Sequence, residues 1–264
     1  MLEAASHLTG RDRYICKLLF DHQVLTTHQI RQVCFDSQRR TTLRLSQLHR
    51  LRILDRLRPL TPVGSAPHHW ILDSMGAAVV AAERGGDVAE LGWRRDKAVA
   101  VATSPQLGHL VGTNGVFCSL LQAARHQPDA QLALWWPARH CAARWGQIVR
   151  PDGYGVWQEN DRRTAFLFEY DNGTERIARL AEKLDRYGRL FALTGQKVWV
   201  LFSFPGPGRE TAAREALVRP DVPVATAHLR MAETAADAVW APVTSTSGVD
   251  VRRARLTDLR FPAR

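Results

Sequence analysis

The sequence predicts an α+β chain: a mostly helical module over residues 1–84, a connecting segment over 85–105 and a mixed α/β domain over 106–264. Three observations carry this. Apolar residues recur at helical spacing behind capping residues through the first 84 positions. Gly85-Gly86, Gly92 and Ser104-Pro105 then punctuate the chain. From about Gln106 a long helical run gives way to short alternating strands and a second amphipathic helix.

Composition narrows the class. Of 264 residues, 45% are hydrophobic and 23% charged, the balance of a globular protein rather than a disordered one. No apolar stretch approaches about 18 residues, which excludes a transmembrane helix. Met1 to Gly10 carries no basic-then-apolar signal, so the cytoplasm is the expected compartment. Cys16, Cys34, Cys118 and Cys141 lie far apart with no CxxC spacing, which argues against a disulfide framework and a structural zinc site. The net charge is +10, from 36 basic and 26 acidic side chains, and only Lys17, Lys97, Lys183 and Lys197 are lysines. Arginine-rich composition has a genomic explanation as well as a nucleic-acid one, so clustering decides between them.

In the first module, Thr9 and Asp12 form a capping-box-like start to a helix carrying Ile15, Leu18 and Leu19 as far as Asp21. Val24-Leu25 is a short connection, and Thr26 caps a second helix with Ile30 and Val33. Asp36-Ser37 starts a third helix to about Leu51, with Leu45, Leu48 and Leu51 facing inward. Ile53 to Leu57, a Pro/Gly loop (Pro59 to Pro67) and His68 to Leu72 make a two-stranded wing, and Ser74 starts a fourth helix to Arg84. Adjacent strand residues point to opposite faces, so His68 and His69 cannot jointly hold a metal. This order reads as a winged helix-turn-helix. Trp93 and the run Ala98 to Ala102 mark the following connection as one that docks.

Charge collects on the third helix and the wing. Residues 38–58 hold seven arginines against one acid, Asp55, more than half the net charge of the chain. That matches a recognition helix entering a DNA groove. Arg39, Arg40 and Arg44 near the helix start are the candidates for base edges or phosphates, with Arg50 further along. Gln38, Thr41, Thr42 and Gln47 can add hydrogen bonds. The alternative is a solvated face on a winged helix used for protein contacts.

In the second part, Leu107 to Arg125 reads as a helix and Gln131 to Trp136 as a strand. Gly146 to Trp157 and Thr164 to Asp171 read as a strand pair joined by the turn Glu159-Asn160-Asp161. Thr174 to Phe191 is a helix, and Lys197 to Phe204 and Val222 to His228 are strands. Strand alternation puts Phe166, Phe168 and Tyr170 on one face and Leu167, Glu169 and Asp171 on the other. Two carboxylates on one sheet face are costly to bury without a positive group between them. Mg²⁺ (or Mn²⁺) is the candidate, with Asp152 on the paired strand as a third ligand. A Pro-Asp-Gly turn is the plain alternative for Asp152.

A Pro-Asp on one strand, Glu-x-x on the next and a following helix is similar to the PD-(D/E)XK nuclease fold. More narrowly, the chain resembles the replication-relaxation family of plasmids and integrative elements. The stretches that carry the resemblance are LTGRDRYICKLL, VLTTHQI, the arginine-rich helix with its wing, GHLVGTNGVF, RPDGYG and FLFEYDNGTERIARLAEKLDRYGRL. The resemblance implies a DNA-binding role in plasmid replication, relaxation or conjugative transfer, and strand cleavage does not follow from it. The nuclease-like pattern is what makes Asp152, Glu169, Asp171 and Lys183 the candidate catalytic set. Where the nuclease pattern places lysine, this chain has Asp171. Lys183, on the flank of the helix stripe Ile177, Leu180, Ala181, Leu184, Tyr187 and Phe191, is the candidate migrated lysine, with a surface lysine as its alternative. Double-stranded DNA is the expected partner, together with other replication or transfer proteins and without a membrane, and a dimer is compatible with such a role.

Two functions therefore stand side by side: a DNA-binding protein that nicks with a divalent metal, and a non-catalytic accessory or regulator with a degenerate nuclease-like domain. No nucleophile elbow, P-loop or complete dinucleotide fingerprint is present, since Gly206-Pro207-Gly208 lacks the third glycine. Trp135-Trp136 and Trp199 read as core or as base-stacking residues. The arginines of the tail (Arg252, Arg253, Arg255, Arg260, Arg264) read as phosphate contacts or a solvated end.

Overall fold

The computed structural model describes residues 8–59, 66–218, 221–243 and 252–261. Most of the wing loop, at 60–65, and Arg264 lie outside the described residues. The structure is mixed α and β, and the chain divides into two compact units, residues 1–118 and 119–264.

In the first unit, Thr9 caps helix α1 (Gly10–His22). Asp12 N donates to Thr9 Oγ1 at 3.3 Å, and Thr9 N donates to Asp12 Oδ2 at 2.8 Å, so two orphan amides are satisfied reciprocally. Thr26 and Gln29 repeat this box at the start of helix α2 (Thr27–Cys34). Helix α3 (Gln38–Arg50) follows. Ile15, Leu18, Leu19, Ile30, Val33, Leu45 and Leu48 are buried as their spacing predicts. Each such burial is worth roughly 1.5–3 kcal/mol. Leu51, expected to face inward, is 40% exposed because it is the C-cap, where the helical spacing ends.

The sheet of this unit has three strands, not two. Strand β2 (Leu54–Leu57) pairs antiparallel with β3 (His69–Leu72), and β1 (Leu25–Thr26) pairs on the other side of β3. A two-residue strand has no alternation to read, so the sequence shows only a connection there. His69 is buried, with Nδ1 3.0 Å from Pro67 O, while His68 leans on the Trp70 ring. Helix α4 (Ser74–Glu83) packs close to β2: a Cβ on Gly76 would lie 2.2 Å from the Ile53 carbonyl oxygen.

Segment 85–105 contains a helix, α5 (Arg95–Ala102), and it docks as its apolar run suggests. Ala102 is buried with Val24 and Ile71, and Ala98, Val99 and Val101 pack there. The first half of helix α6 (Leu107–His126) also belongs to this unit. Asn114 Nδ2 donates to the carbonyls of His22 (3.0 Å) and Val24 (2.9 Å), and Gln29 Nε2 donates to Val111 O at 2.7 Å. The compact unit runs to residue 118, past the expected boundary at 84, and these two amides tie α6 to the backbone around the end of α1 and to α2.

The second unit holds a six-stranded mixed sheet in the order β4-β5-β6-β7-β8-β9. Strands β4 (Ala130–Pro137), β5 (Gly153–Glu159) and β6 (Arg162–Tyr170) form an antiparallel meander. Strands β7 (Trp199–Ser203) and β8 (Val224–Ala227) continue it in parallel with β6, and β9 (Ala241–Pro242) closes it antiparallel. Helices α8 (Ile177–Thr194) and α9 (Pro207–Ala216) are the crossovers that parallel pairing requires. Asn160 takes a left-handed conformation (φ 52°) in the tight β5–β6 turn, a position that favours Asn. Leu167, Val200, Phe202 and Val224 from the sheet share a buried cluster with Leu180, Leu184, Tyr187 and Phe191 from α8.

Two expectations fail here. Residues 146–157 are not one strand: helix α7 (Ala138–Trp145) precedes a tight turn in which Ile148 N and Val149 N donate to Trp145 O, and β5 begins only at Gly153. Helix α8 starts at Ile177 rather than Thr174, because Asn172 Oδ1 accepts from Thr174 N and Oγ1 and holds a turn instead.

Candidate functional site

Strand alternation on β6 aims Leu167 and Glu169 at α8. Glu169 is 1% exposed. Lys183, two turns into that helix's facing side, sets its Nζ 3.0 Å from Glu169 Oε2 and 3.3 Å from Glu175 Oε2. The Tyr187 hydroxyl donates to Glu169 Oε1 at 2.5 Å. Asp152, expected on the paired strand, joins from the bend just before β5: its backbone N donates to Phe168 O at 3.0 Å, and Tyr170 N donates to its Oδ2 at 2.9 Å. Asp152 and Lys183, widely separated in the sequence, thus both approach Glu169.

Burial pushes the Glu169 carboxyl up to about 7, and Asp152 adds to the rise; Lys183 and Tyr187 oppose it without cancelling it. Burial alone would lower the Lys183 pKa, but Glu169, Asp152 and Glu175 raise it above the ordinary lysine value, so the amine stays charged. Tyr187 is pushed well above the usual phenol range by burial and by Glu169, so it keeps its proton and donates it. Nearby Cys141 is buried and its thiol is pushed up to about 12 by burial and by Asp152, which removes it as a nucleophile.

Asp171 goes elsewhere. It lies one residue past β6, where Oδ1 accepts from Gly173 N at 2.8 Å and Oδ2 from Arg209 Nε of α9 at 2.6 Å; Arg209 also donates to Glu175 O. Alternation holds only while the chain stays extended, and the turn at 171–173 carries this carboxylate to α9. Among the described residues, no three His, Cys, Asp or Glu side chains are placed to hold a metal ion. Both Glu169 oxygens and both Asp171 oxygens already accept hydrogen bonds. The arrangement does not fit the expected three-carboxylate Mg²⁺ or Mn²⁺ centre.

What the site does present is a cationic groove of about 960 Å³, lined by Arg150, Glu169, Lys183, Arg186, Arg189 and Leu193 among others. Arg179, Lys183, Arg186 and Arg189 recur at i, i+4, i+7 and i+10, a stripe along one flank of α8, and Arg176 stands at its N-cap. All but Lys183 are exposed. The sequence reading placed only Lys183 on this flank. Its three arginines were legible from the same spacing.

In the first unit, Gln38, Arg39, Arg40, Thr42, Gln47 and Arg50 are exposed on α3, as expected. Thr41 is buried and, like Thr42, turns its hydroxyl to the carbonyl four residues back. Leu43, which the sequence reading passed over, is 57% exposed among these arginines. Arg44 departs from its expected role. Its guanidinium donates to both oxygens of buried Asp12, at 2.9 and 2.5 Å, and to Gln47 Oε1 at 3.0 Å. It ties α3 to α1. The wing adds Arg56, placed over the Trp70 ring, and Arg52, paired with Asp73.

A family model described as replication-relaxation matches residues 17–199. The match runs from α1 through the groove to the first residue of β7. No curated relative matches the chain. No helix among the described residues is long and apolar enough to cross a membrane.

Proposed function

The chain belongs to the replication-relaxation family, and from that premise we propose that it binds double-stranded DNA in the replication, relaxation or transfer of a plasmid or another mobile element. On this reading the first unit is a winged helix-turn-helix whose α3 enters the major groove. The second is a PD-(D/E)XK-like domain that holds the sugar-phosphate backbone along α8. The observation that carries the reading is the exposed row Arg39, Arg40 and Arg50 on α3, none of which has an ion-pair partner among the described residues. Cations on a helix without acidic partners suit phosphates and guanine edges, and exposed Leu43 suits a thymine methyl. The test is a binding titration on duplex DNA. Arg39→Ala with Arg40→Ala is expected to weaken affinity at least tenfold with the fold intact; unchanged affinity would overturn the reading.

Strand cleavage is the second reading, and one observation favours it: Lys183 Nζ lies 3.0 Å from Glu169 Oε2, which puts a cation beside the buried carboxylate although Asp171 holds the pattern's own lysine position. Supercoiled plasmid incubated with Mg²⁺ or Mn²⁺ separates the two. Nicking by the wild type that is lost in Asp152→Asn establishes cleavage. Intact plasmid with DNA binding retained leaves the groove as a holding site.

A further inference from the structure

A second cavity of the same unit carries aromatic rings rather than charge. Trp136 at the end of β4 stands opposite Tyr154 on β5, and Trp145 closes the group from the last residue of α7. The three ring centroids are 5.3, 5.4 and 5.7 Å apart, and all three residues are half-buried. They border a cleft of about 410 Å³, within the roughly 300–1,000 Å³ range of small-molecule sites. Arg144, Thr194 and Gln196, all exposed, complete its rim.

The cleft continues the cationic groove. Trp145 leads directly into residues 146–150, which line the groove, and Leu190 and Phe191 line the cleft while Arg189, Ala192 and Leu193 line the groove. We propose that the cleft receives one unpaired nucleobase of the DNA strand whose phosphates lie on the α8 stripe. An aromatic wall offers a face to a base, Arg144 offers a charge to the adjoining phosphate, and Gln196 offers a polar edge. A purely apolar ligand has no use for the last two. A base inside a duplex is stacked on both faces, so only an unpaired or extruded one can enter. The substrate class is therefore DNA with a single-stranded or locally melted stretch. This rests on the reading of α8 as a backbone track.

The experiment compares a labelled single-stranded oligonucleotide with its abasic counterpart of equal length, which keeps the phosphates and lacks the bases. Wild type is expected to bind the normal strand about tenfold more tightly than the abasic one. Trp145→Leu, which keeps an apolar side chain but no aromatic face, should lose this preference while still binding the abasic strand as wild type does; Trp145→Phe should retain it. Equal binding of both strands by the wild type, or a preference that survives in Trp145→Leu, overturns the base site and leaves the groove standing. No binding to either strand overturns the groove reading and the base site together.

Discussion

Arg44→Ala removes the guanidinium that ends on Asp12, whose side chain is 1% exposed. Stripping one partner from a fully buried ion pair costs about 3–5 kcal/mol, because the remaining charge is left desolvated. Here the arginine side chain is 26% exposed, so water shares the pair. Asp12 Oδ2 also keeps the Thr9 N and Oγ1 bonds at 2.8 and 2.7 Å. The expected loss falls to about 2–3 kcal/mol, or about 10 °C in the melting of a unit this size. Burial alone would raise the Asp12 pKa, but the bonds from Arg44 and Thr9 outweigh it and hold the carboxyl below its ordinary 3.8. The pair's stabilisation is thus present above that pH and is lost as pH falls through the lower folded value. Urea melts of wild type, Arg44→Ala, Asp12→Asn and the double variant measure it, with a coupling of about 2 kcal/mol expected. A loss below about 0.5 kcal/mol, together with weaker DNA binding, would refute the structural role and return Arg44 to the DNA-contacting face.

Glu169 should show the opposite pH sign. Its folded value of about 7 against an ordinary 4.5 means the contribution is full below 4.5 and lost as pH rises through 7. Chemical melts across that window should slope for wild type and flatten in Glu169→Gln; parallel profiles would rule out the buried-acid account. DNA affinity should fall steeply with salt, with a log–log slope of roughly −4 to −6 for about 5–7 phosphate contacts, and a flat response would show that the arginines face something else. Gly76→Ala should cost about 1–3 kcal/mol, since its Cβ would meet the Ile53 carbonyl oxygen at 2.2 Å, and a neutral thermal melt would show that α4 can withdraw from β2.

Features written in neighbouring residues were legible without coordinates. The capping boxes at Thr9 and Thr26, the apolar faces of α1 to α3 and the alternation of β6 depend on spacings of two to four, so local periodicity alone specified them. The arginine density of α3 belongs to the same class, whereas spacing put Lys183 on a helix flank and Glu169 on a strand face without deciding that the two meet. What tertiary structure decided turns on partners far along the chain. Arg44 reads as a surface cation until Asp12, 32 residues earlier, is packed beneath it. Asp171 reads as a neighbour of Glu169 until the turn after β6 delivers it to Arg209, 38 residues later. The aromatic cleft exists only because β4 and β5 pair Trp136 with Tyr154 and α7 returns Trp145 to them. Spacing along the chain determines which face a side chain occupies; what it meets across that face depends on which distant segments pack there, and no local pattern encodes that.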